Sequence, residues 1–238
     1  MSYIENPKTK GSGIICCIPQ TGKCPVGCDD CFFQSGRSYL EPLEENLPNM
    51  PELEDTIDRV VRVNDGNDSN NGTISVCLAT RKYRNAFYNT SIPKKLEFFV
   101  DPVVLTVNPG NMTDCKAHLL DPIPNNLMFV RVRANTWNVR VINDAVAHYT
   151  AKDVPVVLTF MAYYTETIPK EHKQYYGYRK RTLNSYWVIT QEGWDEVYGR
   201  YKHNPYVYTC GRDADTHACK FCGNCLREYY ATLERIRG

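Results

Sequence analysis

Short runs of branched aliphatic residues recur along this 238-residue chain and limit what it can fold into. Gly13-Ile14-Ile15-Cys16-Cys17-Ile18 is the first, followed by Val60 to Asn64, Val103-Val104-Leu105-Thr106-Val107-Asn108, Leu127 to Ala134 and Val154 to Tyr163. Tyr186 to Thr190 offers a sixth. Apolar runs with little polar alternation fit strands covered on both faces, which means a parallel sheet. Between them lie segments that read as helices: Glu52 to Arg59, Ile74 to Tyr88 and Val139 to Tyr149. Strands alternating with helices predict an α/β fold. The pattern alone allows a doubly wound sheet or a barrel, and in both architectures ligands gather at the C-terminal ends of the strands. Residues that follow each run are therefore the first place to look for chemistry.

Composition narrows the classes. A hydrophobic content of 42% and a charged content of 23% are those of an ordinary globular protein. A net charge of +1 gives no global basic excess for nucleic-acid binding. The 17 tyrosines point to half-buried aromatic surfaces at core edges or in a substrate cavity. Of 11 cysteines, seven fall into two compact groups, unlike the spread cysteines of small secreted scaffolds. No N-terminal apolar leader and no apolar run of ~18 residues is visible. The expectation is a reducing cytoplasm, no membrane, and thiolates committed to metal.

The first group is Cys24-Pro-Val-Gly-Cys28-Asp-Asp-Cys31, directly after the first strand. Closed iron–sulfur cubes take four cysteines, so three thiolates leave one iron free to bind a substrate or cofactor. The alternative is a zinc or purely structural site, although zinc favours two separated pairs. The second group is Cys210, Cys219, Cys222 and Cys225. Its C-x2-C-x2-C core has a ferredoxin-type spacing, with Cys210 as a fourth thiolate. Structural zinc is again the alternative, and His217 could replace one ligand. Cys16 and Cys17 read as small core residues, and Cys77 and Cys115 stand alone.

The spacing of the first group resembles the signature of the radical S-adenosylmethionine (radical SAM) superfamily, C-x3-C-x-aromatic-C. The chain departs from it at Asp30, where an aromatic is expected, and carries Phe32 and Phe33 just after the third cysteine. The resemblance implies an open partial (β/α)6 barrel and a [4Fe–4S] cluster on Cys24, Cys28 and Cys31. It implies that S-adenosylmethionine chelates the free iron and is cleaved reductively to a 5′-deoxyadenosyl radical, which takes a hydrogen atom from a substrate. It also implies a reductant such as flavodoxin or ferredoxin. Auxiliary clusters occur in many members, which suits a second [4Fe–4S] cluster, or zinc, at Cys210, Cys219, Cys222 and Cys225.

Several residues are candidates to hold the cofactor. Phe32 and Phe33 lie closest to the family's adenine position. The loop Asp65-Gly66-Asn67-Asp68 stands where the family has a glycine-rich acidic motif for the SAM ammonium, and it supplies acceptors of the right kind. By itself it is also an ordinary Asn/Asp/Gly turn. Thr106 and Asn108 end the third run. On the fourth run, Phe129, Arg131, Arg133 and Asn135 share one side, opposite Val130 and Val132. Two arginines on one face of an apolar strand need partners or a wet cavity. Arg133 and Asn135 are candidates for the SAM carboxylate or ribose, and the alternative is an edge strand with arginines in solvent. Thr159, Met161 and Tyr163 are candidates for the substrate space, with Gln191 and Glu192 behind them.

Lys170 to Arg181 interleaves basic and aromatic residues and is either a nucleotide-stacking surface or a solvated segment with its tyrosines turned inward. Residues 1–200 are expected to form the barrel and 201–238 a small cysteine-rich extension. A peptide, protein or nucleic acid is the expected kind of substrate. The competing function is a non-catalytic zinc or iron–sulfur protein, acting in nucleic-acid or protein interaction or in electron transfer.

Overall fold

The computed structural model describes residues 3–22, 24–28, 31, 48–110, 112–163, 167–180, 185–216 and 218–238. Phe32, Phe33, Asp30 and His217 lie outside the described residues.

Seven strands form one parallel sheet: β1 (Ile14–Cys17), β2 (Val60–Val63), β3 (Ala86–Thr90), β4 (Val103–Val107), β5 (Leu127–Val132), β6 (Val156–Leu158) and β9 (Val207–Thr209). They are adjacent in chain order, β1-β2-β3-β4-β5-β6-β9, with every pair parallel. The order never reverses. Because parallel crossovers are right-handed, an unreversed order sends the connections to one face of the sheet. A doubly wound sheet needs a reversal point, so that alternative is excluded. No pairing among the described residues joins β1 to β9, and the sheet stays open.

The outer face carries the larger core. Ile15, Cys17, Val61, Val63, Tyr88, Leu105, Val132 and Leu158 point there and meet helices α1 (Thr73–Thr80) and α2 (Val139–Thr150) through Val76, Val141, Ile142 and Val146. Gly72, at φ 86°, makes the left-handed turn into α1, a conformation that costs glycine little. The Asn135 carboxamide oxygen accepts N–H bonds from Trp137 and Asn138 and so ties down the turn into α2.

The inner face holds Ile14, Val60, Phe87, Val104, Met128, Phe129 and Val157 in a second cluster. Here the chain differs from expectation. Residues 201–238 supply β9, the short helix α4 (Cys219–Cys222) and the C-terminal helix α5 (Asn224–Arg237). Tyr229 on α5 is 2% exposed and lies 6.3 Å from the Phe87 ring, within the inner cluster. The C-terminal region is thus part of the same core. Gly223, left-handed at φ 65°, separates α4 from α5.

Three elements depart from the sequence reading. The helix over Ile74 to Tyr88 stops at Thr80, and Ala86–Thr90 is a buried central strand. Tyr186–Ile189 (β8) pairs antiparallel with Tyr176–Arg179 (β7) in a separate hairpin, and the sheet takes Val207–Thr209 instead. Glu52 to Arg59 contains only a 3-10 turn at Glu54–Thr56. Helix α3 (Gln191–Tyr198) follows β8 and is capped by the Thr190 hydroxyl, which accepts from the Gly193 N–H. Among the described residues no helix is long and apolar enough to cross a membrane.

Candidate functional site: two cysteine groups on the inner face

Strand alternation places Cys16 on β1, Arg62 on β2, Asn89 on β3, Thr106 on β4 and Arg131 on β5 on the inner side, toward the C-terminal ends of the strands. β5 lies between β4 and β6, so its arginines are not on an edge strand. Arg131 donates to the Asn89 side-chain oxygen at 3.1 Å and lies over the Phe129 ring.

The first cysteine group follows β1. A turn closes it, with the Cys31 N–H donating to the Cys28 carbonyl. The Cys28 thiol lies 3.5 Å from the Asn108 side-chain nitrogen and 3.9 Å from the Ser91 hydroxyl, at the exits of β4 and β3. Burial raises the Cys28 thiol above its ordinary range, and the Arg133 charge works against that rise. Burial also pushes Cys24 up to about 11, and the neighbouring Asp68, Cys31 and Cys28 charges add to it. Asn108 and the Arg133 charge therefore both act on Cys28. Arg133 Nη1 and Asn108 Oδ1 are buried with no hydrogen-bond partner among the described residues, and so is the Thr159 hydroxyl next along the same row.

The loop after β2 behaves differently from its expected role. Asp68 is 3% exposed, and its carboxylate accepts from the Thr90 hydroxyl at 2.7 Å, the Ser91 N–H at 2.6 Å, the Ser91 hydroxyl at 3.0 Å and the Asn70 N–H at 2.9 Å. Asp65 pairs with Arg62 at 2.7 Å and accepts from Asn6. Asn67 donates to the Gly22 carbonyl at 3.3 Å, and Gln20 donates to the Asp68 carbonyl at 2.8 Å. Asn67 and Gln20 thus tie the chain ahead of the first cysteine group to the loop after β2, and Asp68 ties that loop to the exit of β3. Thr106 is buried in register with Arg131. Asn135 is fully buried; its oxygen holds the start of α2, and its amide nitrogen is left unpartnered.

The second group crosses the inner face between the sheet's two edges. Cys210 follows β9, its N–H bonded to the Leu158 carbonyl, whereas the Cys219 N–H bonds to the Lys8 carbonyl ahead of β1. The Cys222 thiol is lowered below its ordinary range, first by its hydrogen bond with the Cys210 thiol and then by N–H groups of Gly211, Asn224 and Cys222 itself, against its burial. Cys210, as the partner in that bond and as a buried group, is pushed well up. Burial raises Cys225 too, against the charges of Arg131 and Arg62.

All 11 cysteines are free thiols. Among the described residues no three His, Cys, Asp or Glu side chains converge at metal-holding distance as they stand. The donor set of each group is cysteine sulfur, the kind of ligand that iron–sulfur clusters take, with the Asp68 carboxylate beside the first group.

Sequence reasoning missed Arg62, Ser91, Gln20 and His118, whose Nε2–H donates to the Ser91 carbonyl at 3.0 Å. Arg62 was open to discovery by the alternation argument that found Arg131. Cys17 is core as expected, but Cys16 turns inward, 3.3 Å from Arg62 Nη2. In the Lys170–Lys180 segment Tyr176 is buried against Tyr163, Ile189 and Trp194, Tyr178 is exposed, and Lys173 lies 6.0 Å over Trp187. A scan against protein-family models and searches of curated proteins and solved structures find no match to this chain.

Proposed function

We propose that the chain is a radical SAM enzyme and that its open, sequential parallel sheet is a partial barrel of that superfamily's kind. One observation carries the reading. A three-cysteine loop at the strand mouth, with the spacing that leaves an iron free, stands beside a buried arginine nitrogen that has no partner among the described residues, on Arg133. A SAM carboxylate is the ligand that such a guanidinium binds through two parallel N–H bonds.

Cys24, Cys28 and Cys31 would hold the [4Fe–4S] cluster, which with SAM bound supplies a 5′-deoxyadenosyl radical for hydrogen abstraction. The protein's own residues bind, orient and shield. Arg133 and Asn108 would receive the polar end of SAM, Asn108 also donating to Cys28. Gln20 and Asn67 tie the chain ahead of the cysteines to the loop after β2. Thr159 and the half-buried Met161 follow β6 and border the space for substrate. Tyr229 and the rest of α5 fill the inner face below, so substrate enters at the mouth. Cys210, Cys219, Cys222 and Cys225 would hold a second [4Fe–4S] cluster. The open sheet suits a large substrate, peptide or nucleic acid, and the reaction needs a reductant of the flavodoxin or ferredoxin kind.

The test is SAM cleavage by the reduced protein, read as 5′-deoxyadenosine. Cys28→Ala is expected to abolish it while leaving iron at the C-terminal cysteines. Cleavage retained at the parent rate would sink the assignment.

A further inference from the structure

Arg62 is the most deeply buried guanidinium of the inner face, 8% exposed. Its Nη2 donates to Asp65 at 2.7 Å and to Cys16 Sγ at 3.3 Å, and its Nη1 points to Cys219 Sγ at 3.8 Å. Its Nε is buried with no acceptor among the described residues. A cation taken out of water in this way needs acceptors on every donor. Burial works against the charge, but Asp65 and the surrounding thiols more than offset it. The two terminal nitrogens of the same guanidinium already face the Cys16 and Cys219 sulfurs. The sulfides of an iron–sulfur cluster are acceptors of the kind it lacks, whereas a tetrahedral zinc offers only its thiolates.

We propose that Arg62 is the positioning residue of the C-terminal metal site: it hydrogen-bonds the sulfurs of an iron–sulfur cluster there and sets that cluster's reduction potential. The proposal rests on the reading that Cys210, Cys219, Cys222 and Cys225 hold such a cluster. Each electron added makes the cluster more negative, and a nearby cation with N–H···S bonds stabilises the reduced form most. Arg62 therefore raises the potential, and Asp65, its counter-ion, restrains that rise. Charge on this pair, set on β2, is read out at a cluster carried by the C-terminus.

The experiment is a redox titration followed by electron paramagnetic resonance in Cys28→Ala protein, where the C-terminal cluster is the one left. Adding Arg62→Met is expected to lower the midpoint potential at unchanged iron content, and Arg62→Lys to restore part of it. Asp65→Asn, a gentler change, is expected to move the potential upward. Opposite shifts from the two partners of one ion pair are not produced by mere loosening of the fold. Iron retained with an unmoved midpoint in Asp65→Asn and Arg62→Met overturns the role of Arg62 and leaves the cluster standing. Zinc in place of iron in the Cys28→Ala protein overturns the cluster and the proposal together.

Discussion

Arg133 is where local chemistry bears most directly on function. It leaves β5 on the inner side, its backbone N–H bonded to the Val107 carbonyl, and its charge opposes the burial of Cys28. One nitrogen of its guanidinium is buried with no partner among the described residues. Arg133→Ala is expected to weaken SAM binding by about 10- to 100-fold, the worth of one charge-assisted hydrogen-bonded pair, with iron content unchanged. Equilibrium binding of SAM measures it, and an unchanged affinity would assign the arginine to another ligand. Asp68 shows the converse. Four donors converge on its carboxylate from the β2 loop and the exit of β3, so its work is to fasten the β2 loop to β3. The sequence marked both residues, since an arginine on an apolar strand and an acidic loop after one each stand out. Which acid would turn inward to serve the fold was not legible, because Asp65 and Asp68 differ only in partners far along the chain, Arg62 apart.

At the level of elements, α5 takes the place that an open barrel leaves for solvent or substrate. Tyr229 packs with Phe87, Val104 and Phe129, and Arg235 reaches the Leu127 carbonyl at 2.6 Å near the other end of the helix. Truncating a fully buried aromatic removes its transfer energy and leaves a cavity. Tyr229→Ala is expected to destabilise the fold by about 3–5 kcal/mol, against less than about 0.5 kcal/mol for Tyr230→Ala, which is 54% exposed. Urea unfolding of the two variants gives the comparison, and equal small effects would mean that α5 is not part of the core. The branched runs at Ile14, Val60, Val103, Leu127 and Val156 declared their strands because burial on both faces leaves no polar alternation. β3 did not: Ala86-Phe87-Tyr88-Asn89-Thr90 continues a helix-compatible stretch, and its inward Asn89 breaks the apolar run. β9 is three residues long, too short for any period, and is a strand because β6 offers it an edge.

Across the whole molecule, the two cysteine groups share one face of one sheet. The first lies at the strand mouth against β3 and β4, and the second spans the gap between the β9 and β1 edges. The Arg133 charge, just past the end of β5, acts on Cys28 of the first group, and the Arg131 charge, on β5, acts on Cys225 of the second. The cysteine spacings could be read from the chain directly; that they meet on the same face required the unreversed strand order, which pattern alone left open. The most direct measurement is the electron paramagnetic resonance spectrum of the anaerobically purified, reduced protein with and without SAM, alongside an iron, sulfide and zinc count. The account predicts iron near eight per chain, a cluster signal that shifts when SAM is added, and 5′-deoxyadenosine as product. Zinc at the cysteines, or a cluster signal indifferent to SAM, would contradict it.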